Sequence, residues 1–284
     1  MKLTKVTLVS MITFGAVLVM ATPVLAADPV PVITDSKVMF EEGSVNPDGG
    51  LTKPDDKDKD IILPQPPIGG ENGLPDGNGN LKPTGSLAIT FAPTIDFGKV
   101  KIKTGGAVYA SNTMQYKNVT TATDAYMPNM LTVEDVRGTK AGWTVSVQGS
   151  EFKTSAADGD KKLEGAYLTF STGRKVYNDA ENGPAAINDP AKFDTKDELV
   201  LSPGTNGTYA ALPLLTAQAG NGTALTAVVF DKNYEGTFSN PTTPTAYDSN
   251  TKINDITLTV PANAVPQANV SYVSKVTWTL STTP

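Results

Sequence analysis

Short stretches of alternating apolar and polar residues recur from Ser86 to the C-terminus and predict β-strands. The nine stretches are SLAITF (86–91), IDFGKVKI (95–102), MLTVEDV (130–136), GWTVSV (142–147), AYLTFS (166–171), ELVLS (198–202), ALTAVVF (224–230), DITLTV (255–260) and VSYVSKVTWTL (270–280). No segment has a helical period, and YAALPLLTAQAG (209–220), interrupted by Pro213, predicts at most a turn of helix. We therefore predict an all-β fold, a single sandwich or barrel-like domain spanning residues 85–284.

Two of these strands carry the only two tryptophans of the chain. Alternate residues of a strand share a face, so Trp143 lies with Val145, and Trp278 lies with Leu280. We expect both tryptophans to be core residues and the last strand to be paired in a sheet rather than frayed. The alternative is a platform on which exposed tryptophans stack against sugar rings.

The first 84 residues have a different composition. Lys2 and Lys5 precede an apolar run that ends near Met20, and Val24-Leu25-Ala26 offers a cleavage site, so residues 1–26 are predicted to be a signal peptide. Residues 28–84 hold nine of the 21 prolines, 11 acidic and 5 basic residues, and Phe40 as their only aromatic. Such a segment buries too little apolar surface to fold alone. We predict a disordered, acidic Pro/Gly/Asp-rich spacer over residues 27–84.

The net charge and the residue types that the chain lacks exclude several catalytic mechanisms, metal sites and partners. The chain has no histidine and no cysteine, which excludes Ser-His-Asp and Cys-His catalysis and any His or Cys metal site. The formal net charge of −6 disfavours nucleic acid and anionic lipid as partners. No pair of carboxylates has a spacing that singles out an acid and a base. We predict a binding protein that is not an enzyme and uses no cofactor or metal.

Asp135 and Arg137 share a strand face beside Gly138, which stands at a predicted turn. One interpretation is an ionic contact with a ligand or a partner protein. The other is an Asp–Arg pair that brackets a tight turn, which is the commoner arrangement. Both interpretations are kept.

Several of these stretches together resemble the WxL domain of secreted surface proteins from low-GC Gram-positive bacteria. The resemblance covers residues 86–284 and rests on LTVEDVRGTKAGWTVSV, LEGAYLTF, ELVLSPG, DITLTVPANA and VSKVTWTLSTTP. Trp278-Thr279-Leu280 matches the motif that names the family, whereas Trp143-Thr144-Val145 has valine in place of leucine. The candidate motif residues are Trp143, Val145, Trp278 and Leu280, together with Asp135, Arg137 and Gly138.

The resemblance implies a protein that is secreted and held non-covalently on the cell wall through peptidoglycan. It also implies a multi-protein surface complex with other WxL proteins and a membrane-anchored WxL-interacting protein, in adhesion to host matrix or in polysaccharide handling. The absence of a cysteine for lipid attachment, of a sorting sequence and of a membrane anchor after signal cleavage agrees with this expectation. Small basic patches at 99–103 and 172–175 either meet an anionic wall polymer or are merely solvated. The competing interpretations are a domain that binds a partner protein instead of glycan, and a secreted polysaccharide-active enzyme.

Overall fold

The structure is a computed structural model that describes residues 38–45, 51–56, 60–65, 85–195, 197–204 and 207–284. The described residues from Glu41 onward belong to one compact unit. The predicted signal peptide and much of the predicted spacer lie outside the described residues.

Regular structure within the described ranges consists almost entirely of β-strands, which confirms the all-β prediction. A single short 3-10 turn spans Ala156–Asp158. The strands are β1 (Leu51–Thr52), β2 (Ile61–Gln65), β3 (Leu87–Phe91), β4 (Ala107–Asn112), β5 (Met114–Asn118), β6 (Asp124–Met127), β7 (Met130–Asp135), β8 (Trp143–Gln148), β9 (Tyr167–Phe170), β10 (Lys175–Asn178), β11 (Gly183–Ile187), β12 (Phe193–Asp194), β13 (Leu199–Leu201), β14 (Leu212–Ala217), β15 (Ala224–Val229), β16 (Lys252–Val260) and β17 (Thr277–Ser281).

The strands form four antiparallel sheets. The central sheet has the order β11-β10-β15-β7-β3, and the motif sheet has the order β12-β14-β8-β17. The third sheet has the order β13-β9-β16-β4, and the small sheet has the order β1-β2-β5-β6. Most neighbours are distant along the chain, so the sheets are built largely from non-local pairing.

The middle strands of the central sheet, β7, β10 and β15, are largely buried on both faces. Leu131 and Val133 of β7 belong to the main core, which the motif sheet and the third sheet also line. Met130 of the same strand points to a second core, together with Val229 of β15. This second core is covered by residues of the small sheet, among them Ile62. Adjacent residues of a strand face opposite sides, so a strand that lies between two cores needs apolar side chains on both faces. This explains the continuous apolar runs in β7 and β15.

Part of the predicted spacer is built into this fold. Strand β2 pairs with β5 through Ile62–Asn118 and its neighbours, and the Ile62 side chain is 0% exposed. Further upstream, the Gly43 amide donates to the Val136 carbonyl oxygen at 3.0 Å. The structure thus differs from the expectation of a spacer without regular structure. The boundary between spacer and β domain at residue 85 remains a prediction. Residues 61–65 upstream of it nevertheless pair with the domain.

Three assignments made from the sequence differ from the structure. The predicted strand over residues 270–280 is a strand only at Thr277–Ser281. Residues 95–102 contain no strand, and the strand that follows, β4, begins at Ala107. Residues 212–217 form β14, a strand between β12 and β8, rather than a turn of helix. Pro213 is paired with Ser146 of β8, and the register then shifts between Pro213 and Leu215, so that Leu214 is the unpaired residue of a bulge in β14.

Candidate functional site

The two tryptophan strands lie side by side in the motif sheet. β17 pairs antiparallel with β8, so that Trp278 is opposite Val147 and Leu280 is opposite Val145. In β8 the odd-numbered side chains are buried and the even-numbered ones are half-buried. β17 alternates between half-buried and exposed side chains, with Trp278 and Leu280 on the inner face. The motif strands, about 130 residues apart in the chain, therefore build one continuous apolar surface.

Trp143 is a core residue. Its side chain is 0% exposed and lies edge-on to Phe193, with ring centroids 6.5 Å apart. The indole Nε1 donates to the Gly222 carbonyl oxygen at 3.0 Å, which satisfies the polar atom of the buried ring. A Cβ at Gly222 would lie 2.7 Å from that nitrogen, so the contact requires glycine. The buried indole has no face available for a ligand.

Trp278 is half-buried on the edge strand and bridges two sheets. Its ring centroid is 5.9 Å from that of Phe170 in β9, at an interplanar angle of 84°. The centroid of Phe230, which follows β15, is 6.2 Å away. Edge-to-face contacts of this kind stabilise aromatic clusters beyond the area they bury. Trp278 thus fastens the last strand to the main core.

Asp135 and Arg137 form a bidentate ion pair. Arg137 donates from Nε to Oδ1 of Asp135 at 2.9 Å and from one terminal nitrogen to Oδ2 at 2.7 Å. The guanidinium also donates to the carbonyl oxygens of Gly142 at 2.8 Å and Thr282 at 3.3 Å. The hydrogen bonds that Arg137 donates to the Asp135 carboxylate raise the pKa of the Arg137 guanidinium. These contacts join the end of β7, the start of β8 and the residue after β17.

Gly138 follows this pair at an exposed turn, with a φ of +73°. The structure brings Asp135 and Arg137 together with the start of β8, next to Trp143, and with the end of β17. Four of the five guanidinium N–H donors are used inside the domain. The role of these residues in binding a ligand remains a prediction.

A surface groove that the sequence did not indicate lies at the C-terminal end of β8. Its volume is about 510 Å³. It is lined by Gln148, Gly149, Ser150, Glu151, Lys162, Gly207, Thr208 and Tyr209. A second hollow of about 300 Å³ shares four of these residues and continues along Leu163–Gly165, Pro203 and Gly204. We call the two hollows together the β8 groove.

The last strand region holds the rim of this groove in place. The Ser274 hydroxyl donates to the Ser150 carbonyl oxygen at 2.6 Å. The Lys275 amide donates to the Ser150 hydroxyl oxygen at 2.7 Å. The residues that lead into β17 are therefore hydrogen-bonded to the groove, and the motif strands position it.

Among the known protein families, the model described as "WxL domain surface cell wall-binding" matches residues 28–284. The chain belongs to the WxL family. The match includes the acidic lead as well as the β domain, and it describes a cell-surface protein that binds the cell wall. Comparison with curated proteins and with solved structures gives no match in either set.

Among the described residues of this WxL protein, no group of three or more acidic side chains is arranged to hold a metal ion. Within the same ranges, no helix has the length and apolar character needed to cross a bilayer.

Proposed function

We propose that this WxL protein is secreted and held non-covalently on the Gram-positive wall, with its β domain binding peptidoglycan. The observation that carries the proposal is the wall-binding family match over residues 28–284. The acidic composition of the chain agrees with a neutral glycan ligand better than with an anionic polymer, because like charges repel.

In this proposal the tryptophan strands act on binding through the fold. Trp143 is enclosed, and Trp278 makes its aromatic contacts with Phe170 and Phe230 inside the protein. A stable β8–β17 pair then presents the surrounding surface to the wall. We expect the protein to serve in adhesion or in the handling of complex polysaccharides as one member of a surface complex, and not as an enzyme.

A second candidate function is supported by the edge position of β17. In the motif sheet this strand has β8 on one side and no described strand on the other. An edge strand offers unpaired backbone groups to which a partner can add a strand. A membrane-anchored WxL-interacting protein or another WxL protein would then hold this chain, and glycan would be bound only indirectly.

A sedimentation assay with purified sacculi separates the two functions. The mature chain, residues 27–284, is mixed with peptidoglycan stripped of proteins and secondary polymers, and the bound fraction is measured. Retention on bare sacculi supports direct peptidoglycan binding. Retention only after the WxL-interacting protein is added supports the second function and overturns the first. Release of soluble sugar would contradict the prediction of a binding protein without catalysis.

A further inference from the structure

The β8 groove has a partly exposed aromatic ring set on a rigid support. The Tyr209 side chain is not part of either core, but its backbone makes two contacts. Its carbonyl oxygen accepts from Gln148 Nε2 at 2.6 Å, and the residue forms an isolated β-bridge with Pro203. A Cβ at Gly149 would lie 3.3 Å from the Tyr209 ring, so the ring lies directly against bare backbone. A ring held in this way loses little conformational entropy when a ligand stacks on it.

Polar groups surround the ring at several positions. Lys162 Nζ and Glu151 Oε1 are 2.8 Å apart, and their side chains are 49% and 41% exposed. The carboxylate keeps a second acceptor oxygen and the ammonium keeps further N–H donors. One aromatic face with donors and acceptors beside it suits a pyranose ring and its hydroxyl groups.

The groove is also open to a flat ligand. Gly149, Gly204 and Gly207 contribute no side chains to its lining. No heavy atom lies within 4 Å of the position a Cβ would take at Gly207. The volume of about 510 Å³ falls in the usual range of ligand sites, about 300–1,000 Å³. Several sugar rings placed in line would run from this hollow into its neighbour.

The net charge of the groove lining indicates which polymers of a Gram-positive wall it can bind. The lining residues of the two hollows carry two carboxylates, Glu151 and Glu164, against one ammonium, Lys162. A phosphate-rich polymer or a sialylated glycan would be repelled. An uncharged glycan would not, and the Glu151–Lys162 pair offers it both a donor and an acceptor.

We propose that the β8 groove binds a neutral β-linked N-acetylhexosamine chain, the backbone chemistry of peptidoglycan, with Tyr209 as the stacking platform. The inference rests on the proposed function, because it names the residues with which the domain contacts peptidoglycan. Glu151 and Lys162 bind hydroxyl and acetamido groups, and Gln148 holds Tyr209 in position. The motif strands contribute through Ser274 and Lys275, which anchor Ser150 at the rim.

The test uses the mature chain, labelled with nitrogen-15 and titrated with tetra-N-acetylchitotetraose. The expected result is saturable amide shift changes concentrated at 148–151 and 207–209. Tyr209→Ala should weaken binding about ten-fold or more, as loss of a central aromatic contact does. Tyr209→Phe, which keeps the ring, should bind within about two-fold of wild type. Tyr126→Ala removes a half-buried tyrosine from β6 in the small sheet and serves as the matched control, with unchanged affinity expected.

The shift map keeps the test decisive even if Tyr209→Ala unfolds, because it needs only the wild-type protein. Shift changes located elsewhere, or no saturable change, would overturn the groove as the glycan site. Competition by a glycerol-phosphate polymer at equal concentration would overturn the choice of a neutral ligand. In a parallel sacculus assay, wild-type retention together with full retention of folded Tyr209→Ala refutes the groove and leaves peptidoglycan binding intact. If the wild-type protein is not retained on sacculi, the proposed function is refuted. The oligosaccharide titration then decides separately whether the groove binds glycan.

Discussion

Trp278 stands opposite Val147 in the β17–β8 pair, and its ring lies 5.9 Å from that of Phe170 in the third sheet. The last strand is therefore attached to the domain in two ways, by its backbone ladder and by an aromatic contact across the main core. The stability of the domain should therefore depend on contacts of this kind.

Trp278→Ala should lower the free energy of unfolding by about 2–4 kcal/mol, somewhat below the loss seen for fully enclosed tryptophans. The reason is the loss of ring contacts with Phe170 and Phe230. Urea unfolding followed by circular dichroism measures the change. Thr279→Ala on the exposed face of the same strand is the control and should stay within about 0.5 kcal/mol. Unchanged stability combined with lost wall retention would instead make Trp278 a ligand contact.

Gly222→Ala should destabilise far more than Gly220→Ala. Both glycines have positive φ, at +79° and +93°, so both variants carry the backbone cost of about 1 kcal/mol. Only at Gly222 would the new Cβ collide, lying 2.5 Å from Ala217 Cβ and 2.7 Å from Trp143 Nε1. Thermal midpoints of the two variants give the comparison. Equal losses would show that Trp143 does not need this close approach.

Arg137→Ala should cost about 2–4 kcal/mol, because it leaves the carboxylate of Asp135 buried without its guanidinium. The Asp135 side chain is 0% exposed and that of Arg137 is 12% exposed. Lys153→Ala breaks a surface pair with Asp160 whose side chains are 52% and 59% exposed, and should change stability by less than about 1 kcal/mol. Chemical denaturation of both variants measures the difference. A small effect at Arg137 would favour its use in an external ionic contact.

Ile62→Ala should lower the free energy of unfolding by about 2–4 kcal/mol, as expected for a large aliphatic side chain in a core. Ile61, its neighbour on the opposite face of β2, is 38% exposed, and Ile61→Ala should cost well under half as much. The comparison needs only two melting curves against wild type. If neither variant changes stability, residues 61–65 behave as the independent spacer that their composition suggested.

Tyr177→Phe should reduce the slope with which the free energy of unfolding falls as the pH rises above about 10. Burial raises the pKa values of Tyr177, Tyr234 and Tyr247 above the ordinary 10.0. Above about pH 10 the unfolded chain releases these protons first, so the folded state binds more protons and stability falls as pH rises. Tyr177→Phe removes one of the three contributions.

At pH 7 the same variant should change stability by less than about 1 kcal/mol, because the Tyr177 hydroxyl has no hydrogen-bond partner among the described residues. Unfolding free energies of wild type and variant are compared between pH 7 and 11. Identical slopes above pH 10 would contradict the prediction. Arg174, whose pKa burial lowers to about 10, acts in the opposite direction but cancels in the comparison.

The alternation of residues was sufficient to predict which side chains of the two tryptophan strands face inward. It placed Trp143 and Val145 on a buried face and Trp278 with Leu280 on the inner face of the last strand, as the structure has them. It failed at β14, because Pro213 interrupts the apolar pattern although the strand continues through it to Ala217. It also failed at Ile62, because the short strand β2 gains its stability from a sheet formed with residues far along the chain.

The candidate site could not be found in this way. Tyr209 reaches the end of β8 only through the pairing of β14 with β8 and the bridge to Pro203. Arg174 gives a similar lesson: its basic neighbourhood suggested a solvated or wall-facing patch, yet the side chain is buried. One of its terminal nitrogens donates to the carbonyl oxygens of Thr195 and Asp197 at 2.6 and 3.1 Å. Such partners are set by topology, which periodicity does not reveal.

The pairing of β8 with β17 also makes one sheet depend on a short segment. Without residues 277–281, strand β8 would have β14 on one side and no described strand on the other. A chain that stops before Thr277 would keep an open edge on β8 and an uncovered Phe170–Phe230 cluster, both of which favour aggregation. A copy that lacks residues 277–281 is therefore expected to be handled by the cell as a misfolded protein, although most of its strands can still pair.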